Sequence, residues 1–222
     1  MFALRVIARV GLLAFAIYLY AGTVGSPTQA VQKTAPPAAA FEVDTDASRV
    51  YIKVGTATRL GHEHGVEGRL KSGKLTLGGE GEVVFDMASF TADTAEARKR
   101  VGLEKKKVTE AMRGADVLDV GEHPTATYRV SSITPLDDQS AGEPGTYQLE
   151  GRFTLHGTEQ KLKFKAKLER ADKEGRLKMT GSFSIRQSDY GIKPYSAVGG
   201  LAKVADELEI SGDLVLKAMS GK

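Results

Sequence analysis

Several segments of the chain alternate apolar and polar residues with a period of two. In residues 160–170 the even positions from 162 to 168 are Leu, Phe, Ala and Leu, and the odd positions from 161 to 167 are all lysine. Successive side chains of a strand point to opposite faces, so this pattern predicts a strand with one apolar and one solvated face. The same register holds in four further segments, whose apolar faces carry Tyr147, Leu149, Gly151, Phe153 and Leu155; Leu177, Met179, Gly181, Phe183 and Ile185; Leu208, Ile210, Gly212, Leu214 and Leu216; and Val66, Gly68 and Leu70.

Four of these apolar faces include a glycine, namely Gly68, Gly151, Gly181 and Gly212. Glycine bends a strand and removes side-chain volume, and a small barrel needs both at its corners and around a ligand. We therefore expect the functional site on the apolar, inward side of the predicted sheet.

Nine segments are predicted as strands because turn residues such as Gly78, Gly79, Gly157 and Gly175 bound them. The segments are 41–44, 50–56, 66–70, 81–87, 125–133, 146–155, 160–170, 177–186 and 207–217. Lys71, Ser72 and Gly73 are predicted as a turn after the third segment. Many short strands joined by tight turns indicate an antiparallel meander that closes into a barrel or folds as a sandwich.

One helix is predicted between about residues 94 and 113. Asp93 and Glu96 form a start that is similar to a capping box, and apolar residues from Ala97 to Met112 recur at helical spacing. Gly102 weakens its middle by about 1 kcal/mol relative to alanine, so two shorter helices are an alternative. The predicted fold is therefore all-β with one inserted helix, which we expect across the mouth or flank of the barrel.

The first 30 residues have the order of a secretory signal peptide. Arg5 and Arg9 precede an apolar run from Val10 to Tyr20, and small residues lead to Ala30. An uncleaved membrane anchor is the alternative, since spanning a bilayer takes about 20 apolar residues. We therefore expect a periplasmic or secreted protein.

A single domain is predicted to follow the leader. Residues 31–40 are rich in Ala and Pro without any periodic pattern, which is typical of a tether, and residues 41–218 form the domain. A domain of this length buries about 70% of its unfolded surface without disulfides, in agreement with the absence of cysteine.

The charge balance excludes one class of partner. The formal net charge is +3, and two of those charges are Arg5 and Arg9 of the predicted leader, which leaves +1 for the rest. Nucleic acid is therefore not the expected partner.

The lysine row from Lys161 to Lys167 is expected to be a solvated outer face, with transient contact to anionic lipid headgroups as the alternative. The sequence does not fix the oligomeric state, and a homodimer remains open.

Few residues of the chain suggest a metal site or a catalytic site. His62 and His64, at positions i and i+2 of a strand, would share a face and could chelate a metal ion if another ligand such as His123 or His156 came close. The chain has no cysteine and no Gly-x-Ser-x-Gly sequence, and its carboxylates are scattered. We therefore expect neither an enzyme nor a resident cofactor.

The predicted interior is uncharged, so a ligand that enters it must be apolar. Phe153, Phe164 and Phe183 favour a filled core, whereas the inward glycines favour a cavity. The pattern alone leaves the two alternatives open, because an eight-stranded barrel can do either.

Five short motifs follow one another along the chain. They are Phe41-x-Val43-Asp44, His62-x-His64-Gly65-Val66-x-Gly68, Glu122-His123-Pro124, the segment from Gly151 to Gly157, and the segment from Ile185 to Ile192. Together they resemble the YceI-like family of exported lipid-binding proteins over nearly all of residues 41–216. The resemblance implies an extended lipocalin-like antiparallel β-barrel whose tunnel holds a long isoprenoid chain, such as a polyprenyl lipid or the tail of a quinone.

The leading hypothesis is therefore a non-enzymatic carrier or store for an isoprenoid lipid. Arg186 and Tyr190 are predicted to select the headgroup at the rim. An envelope interaction module with a filled barrel and a metal-handling protein that uses His62 and His64 are the alternatives. The residues predicted to line the tunnel are Val66, Leu70, Phe85, Tyr128, Leu149, Phe153, Phe164, Phe183 and Ile185.

Overall fold

Nine strands form one antiparallel sheet that closes on itself. The computed structural model describes residues 39–59, 63–96 and 109–219. Each strand from β1 to β7 pairs with its neighbour in the chain, β9 pairs with β7, and β9 also pairs with β1. Eight strands therefore close a barrel, and β8 forms a short hairpin with β9. The strands are β1 (Ala39–Thr56), β2 (His64–Leu77), β3 (Gly81–Ala92), β4 (Thr125–Pro135), β5 (Gly145–Leu155), β6 (Thr158–Arg170), β7 (Leu177–Arg186), β8 (Ser196–Ala197) and β9 (Ala202–Ala218).

This topology confirms the predicted all-β antiparallel barrel and decides against a sandwich. The bounds of β7 are those predicted, and β1 joins two predicted strands into one. The ladder between β1 and β9 is irregular between Asp44 and Arg49, and within that interval the hydroxyl of buried Ser48 accepts a hydrogen bond from Val215 N at 2.9 Å. A bulge of this kind bends a strand without ending it.

The predicted turn after the third segment is wrong. Strand β2 continues through Lys71, Ser72 and Gly73 to Leu77, with an irregularity in its pairing with β3 between Leu70 and Ser72. A Cβ atom at Gly73 would lie 2.5 Å from Cγ2 of Val43. Glycine is therefore required here by close packing against β1 and not by a turn.

One half of the barrel interior is filled with side chains. Its fully buried members include Leu75, Leu77, Ile133, Tyr147 and Leu216, each at most 1% exposed. The Tyr147 hydroxyl donates a hydrogen bond to the carbonyl oxygen of Glu143 at 2.8 Å, so its polar atom is satisfied in the loop that closes this end. For this half, the filled-core alternative is correct.

Three of the four inward glycines, Gly68, Gly151 and Gly181, do not border empty space. A Cβ at Gly68 would lie 2.5 Å from Cε1 of Phe90, and a Cβ at Gly181 would lie 2.9 Å from Cε2 of Phe164. At Gly151 a Cβ would overlap backbone atoms of β4. None of the four glycines lines the cavity, and at these three positions aromatic rings or a neighbouring strand occupy the space.

The predicted helix is confirmed where the structure describes it. Helix α1 spans Thr109–Arg113. It is attached to the end of β3 because Thr109 Oγ1 accepts a hydrogen bond from Ala92 N at 2.9 Å and Arg113 Nε donates to Phe90 O at 2.8 Å. This places the helix over one end of the barrel, in agreement with the prediction.

Several predictions lie outside the described residues. They concern the leader 1–30, residues 31–38 of the tether, His62, and the helix positions Ala97 to Val108 that include Gly102. The last two residues of the predicted tether belong to β1, which begins at Ala39. Across the part of the chain that is described, no helix is long and apolar enough to cross a membrane.

Candidate functional site

The other half of the barrel contains a cavity of about 350 Å³. Ligand sites in proteins commonly enclose about 300–1,000 Å³, so this volume is sufficient for a small ligand or for one end of a long one. Side chains from β1, β2, β3, β4, β5, β7 and β9 surround it, and Met112 of α1 with Val117 and Leu118 covers one side. The lining is almost entirely apolar. The interior is therefore both filled and hollow, in separate halves.

Five of the predicted tunnel residues line this cavity: Val66, Phe85, Phe153, Phe183 and Ile185. They come from four different strands, and the alternation along each strand turns their side chains inward. The periodicity of the sequence thus identified the face that each of these residues presents.

Four other predicted tunnel residues are not part of the lining. Leu70, Tyr128 and Leu149 are at most 4% exposed and pack in the core, and Phe164 packs partly buried against it. Tyr128 donates a hydrogen bond to Leu162 O at 3.3 Å, and burial, with a smaller effect from Glu150, raises the pKa of its hydroxyl well above the usual value. These side chains face inward as predicted, but at a different height along the barrel axis.

A cluster of aromatic rings links the cavity to the filled half. The ring centroid of Phe153 lies 5.8 Å from that of Phe85 and 6.2 Å from that of Phe183, in both cases edge to face. Phe183 in turn lies 4.8 Å from Phe164, which lies 5.6 Å from Tyr128. Such pairs are stabilised beyond their area burial by about 0.5–1.5 kcal/mol. We infer that this cluster is the floor of the cavity.

The predicted headgroup residues Arg186 and Tyr190 do not line the cavity. The Arg186 side chain is 68% exposed and its Nε lies 3.3 Å from Oδ2 of Asp206. Tyr190 is 3% exposed, and its ring centroid lies 5.7 Å from that of Phe153. Burial, followed by the charge of Asp189, raises the pKa of Tyr190 to about 12, so its hydroxyl stays protonated at neutral pH.

A short 3-10 turn after β7, residues Gln187–Tyr190, places Gln187 on the cavity instead. Asp206 holds this turn, since its Oδ1 accepts a hydrogen bond from Ser188 N at 2.8 Å and its Oδ2 accepts one from Ser188 Oγ at 2.6 Å. The side-chain amide of Gln187 donates to Ala205 O at 2.8 Å. The turn is thereby fixed against β9 at one side of the cavity.

These contacts predict an acid-dependent stability. The hydrogen bonds from Ser188, with a smaller contribution from Arg186, hold the pKa of Asp206 below its ordinary value. A carboxylate whose folded-state pKa is lowered stabilises the fold above its unfolded pKa of about 3.9, and this stabilisation is lost as the pH falls through the folded value. We expect Asp206→Asn to be less stable than the parent in urea unfolding at neutral pH, and the difference to shrink below about pH 4.

Glu207→Gln, at an exposed neighbouring carboxylate, is the control and should follow the parent at every pH. A difference between Asp206→Asn and the parent that stays constant from neutral to acidic pH would contradict the assigned role of Asp206.

A buried polar pair also borders the cavity. His64 lines the cavity, and its Nδ1 lies 2.9 Å from Oδ2 of Asp93, which is 0% exposed. Oδ1 of Asp93 accepts a hydrogen bond from Gly65 N at 3.3 Å, and the backbone φ of Asp93 is +54°. Asp93 therefore fixes the orientation of the imidazole. Asp93 is 29 residues from His64 in the chain, and no local motif signals the pairing.

The described histidines contact other side chains of the barrel. His123 and His156 pack against each other, with ring centroids 4.4 Å apart, and His62 lies outside the described residues. Among the residues that the structure describes, no group of three or more His, Cys, Asp or Glu side chains is arranged to hold a metal ion.

Comparisons with known proteins agree with this architecture. The family model of the YceI-like domain matches residues 41–216. A comparison with curated proteins gives no significant match. Solved structures share the fold at low sequence identity. A polyisoprenoid binding domain from Saccharophagus degradans, implicated in plant cell wall breakdown, has a TM-score of 0.58 at 17% identity, over 82% of this chain and 99% of that chain. BcnA from Burkholderia cenocepacia has a TM-score of 0.52 at 19% identity, over 78% of this chain and 98% of that chain.

Proposed function

The chain belongs to the family of YceI-like domains, and we propose that it binds, carries or stores a long-chain isoprenoid lipid without catalysing a reaction. The observation that carries this proposal is the apolar cavity in one half of a barrel whose other half is filled. The filled-barrel interaction module does not fit the hollow half.

The lining suits a hydrocarbon chain. Branched and aromatic side chains such as Val66, Phe153 and Ile185 offer only apolar surface to a ligand. Each buried methylene group contributes about 0.8 kcal/mol, so a few isoprene units would supply most of the binding free energy. The structural similarity to a domain described as polyisoprenoid binding supports this choice of chain.

The volume of the cavity limits how much of an isoprenoid chain it can hold. A cavity of about 350 Å³ is at the lower end of the range for ligand sites of about 300–1,000 Å³. We therefore expect one end of a long chain to occupy the cavity and the remainder to extend through its mouth. A polar group that enters the cavity would meet His64, Gln187 or Lys203. These residues replace Arg186 and Tyr190 as the proposed headgroup contacts.

A competition assay tests the proposal. A fluorescent fatty-acid probe is bound to residues 31–222, the chain expected after removal of the leader, and displaced with isoprenoid alcohols of increasing length. We expect affinity to rise with each added isoprene unit until the cavity is full, and then to level off. Linear alcohols of matched carbon number are the control, since they bury a similar area without the branching methyl groups. No displacement by any member of the isoprenoid series would contradict the proposal.

We also propose that the barrel works outside the cytoplasm. The basic start, apolar run and small residues of positions 1–30 support an export signal. The intact mass of the protein purified from its own cells tests this, since removal of residues 1–30 is expected and an intact amino terminus would favour the anchor.

A further inference from the structure

A short hairpin borders the mouth of the cavity. Strand β8 pairs with the start of β9 through Ser196 with Lys203 and Ala197 with Ala202, and Gly199 and Gly200 at its tip have φ values of +62° and +94°. Tyr195, Ala202 and Lys203 belong both to this hairpin and to the cavity lining. We refer to residues 193–203 as the mouth hairpin.

The mouth hairpin is anchored to the rest of the barrel. Val204 N donates a hydrogen bond to Tyr195 O at 3.1 Å, and Ala57 N donates to Lys203 O at 2.8 Å. The N–H of Lys203 also donates to Thr58 Oγ1 at 3.2 Å. Its position relative to the cavity is therefore fixed by β1 and β9.

Large apolar side chains on the mouth hairpin are exposed to solvent. Leu201 is 57% exposed and Tyr195 is 42% exposed. Among the described residues only Leu136 and Met219 are other exposed large apolar side chains, at 46% and 45%. Leu136 follows β4 and Met219 follows β9, where its N–H donates to Ala40 O at 3.0 Å, and both lie at the filled end of the barrel. The exposed apolar residues next to the cavity are therefore those of the mouth hairpin.

Basic residues flank this apolar tip. Lys193 precedes it and Lys203 follows it, both exposed, and exposed Arg59 comes directly after Thr58, which contacts Lys203. Asp206, the next acidic residue along β9, is engaged by Ser188 and Arg186. An aromatic ring and a leucine between cations are the combination that inserts into a bilayer interface.

We propose that the mouth hairpin docks the cavity onto an anionic lipid bilayer. Leu201 and Tyr195 enter the interface, while Lys193, Lys203 and Arg59 bind headgroup phosphates. This inference rests on the proposed function, because docking lets an isoprenoid chain pass between bilayer and cavity without crossing water. The exposed apolar side chains, the flanking cations and the shared cavity lining are all found at the mouth hairpin.

The lysine row of β6 is a weaker candidate for this contact. Lys163 and Lys167 form ion pairs with Glu150 and Glu169, which reduces the net charge of the row. No large exposed apolar side chain accompanies the row in the described part of the chain. These lysines face solvent on the barrel wall, and they serve as a control for non-specific charge.

Vesicle co-sedimentation tests the inference, with vesicles of phosphatidylethanolamine and phosphatidylglycerol compared with vesicles of phosphatidylcholine alone. We expect the parent to prefer the anionic vesicles. Leu201→Ser combined with Tyr195→Ser should weaken this binding about tenfold. Lys193→Gln combined with Lys203→Gln should weaken it about 30-fold, because each cation near the surface contributes about 1 kcal/mol.

Two matched variants control for exposed leucine and for charge. Leu136→Ser removes an exposed leucine from the opposite end, and Lys161→Gln with Lys165→Gln removes two wall lysines; both should bind anionic vesicles within about twofold of the parent. If the wall or Leu136 variants lost binding while the mouth hairpin variants kept it, docking by the mouth hairpin would be overturned. Equal binding by all variants would overturn it as well.

Loading from solution separates this inference from the proposed function. An isoprenoid alcohol added from ethanol, without vesicles, should load Leu201→Ser as fully as the parent, since Leu201 does not line the cavity. Failure of the parent to load would refute the proposed function, whereas vesicle binding would still report on the hairpin. Normal loading of the parent together with unchanged vesicle binding by the hairpin variants would refute only the docking.

Discussion

Replacing Ala126 with phenylalanine is expected to remove most isoprenoid binding while the barrel stays folded. Ala126 on β4 is 2% exposed, pairs with Phe85 on β3 and lines the cavity. A benzyl group there takes the space of about four methylene groups of ligand, which corresponds to a loss of about 3 kcal/mol, or about 100-fold in affinity. The competition assay with isoprenoid alcohols measures this loss.

Ala166→Phe is the matched control because Ala166 is equally buried, at 3% exposed, but does not line the cavity. Its Cβ already lies 3.2 Å from the position of a Cβ at Gly181. Overpacking a filled region costs about 1–3 kcal/mol, so urea unfolding should show a loss of stability for Ala166→Phe and little change for Ala126→Phe. The reverse order would contradict the division into a hollow and a filled half, as would parental affinity in Ala126→Phe.

Gly151→Ala is expected to destabilise the barrel by about 3 kcal/mol or more. The new methyl group would overlap the backbone oxygen of Arg129 and approach Cα of Val130 to 2.9 Å. The ladder between β4 and β5 is irregular next to this point, between Val130 and Ser132, so the strands are already locally displaced. Relief would require β4 and β5 to separate, and urea unfolding measures the cost.

Gly212→Ala provides the comparison on another strand. Its nearest contact would be Cδ1 of Leu214 at 3.2 Å, the end of a side chain that can rotate. We expect a change of at most about 1 kcal/mol. Equal stability losses in the two variants would show that the overlap with the β4 backbone does not cause the loss in Gly151→Ala.

The strands and their inward faces were predictable because they depend on local alternation. In β7 the period-two pattern ran without interruption from Leu177 to Arg186, and the strand has these bounds. The pattern failed at residues 71–73, where polar and glycine residues continue β2 through a bulge. Composition favoured a turn there, but pairing with β3 and packing against Val43 favoured the strand.

The position of a residue along the barrel axis was not predictable from alternation. Phe153 and Leu149 lie on the same face of β5, yet only Phe153 reaches the cavity. Height depends on the register between strands and on their tilt, which are properties of the closed barrel. The tunnel prediction therefore included residues of both halves.

Polar contacts between residues far apart in the chain were also not predictable from the sequence. Asp93 was predicted to begin a helix, and its carboxylate contacts His64 across the sheet. Gln187 reaches the cavity because Asp206, 19 positions later, holds the turn that follows β7. No periodic signal marks such pairs, because each depends on how β9 and β3 meet their neighbours in space.

Native mass spectrometry of the protein purified from its own cells, followed by organic extraction, shows whether the cavity holds a lipid. We expect a stoichiometric adduct whose extracted lipid is an isoprenoid, and a smaller bound fraction in Ala126→Phe than in the parent. Protein at its bare mass, still bare after incubation with polyprenols and isoprenoid quinones, would contradict the proposed function.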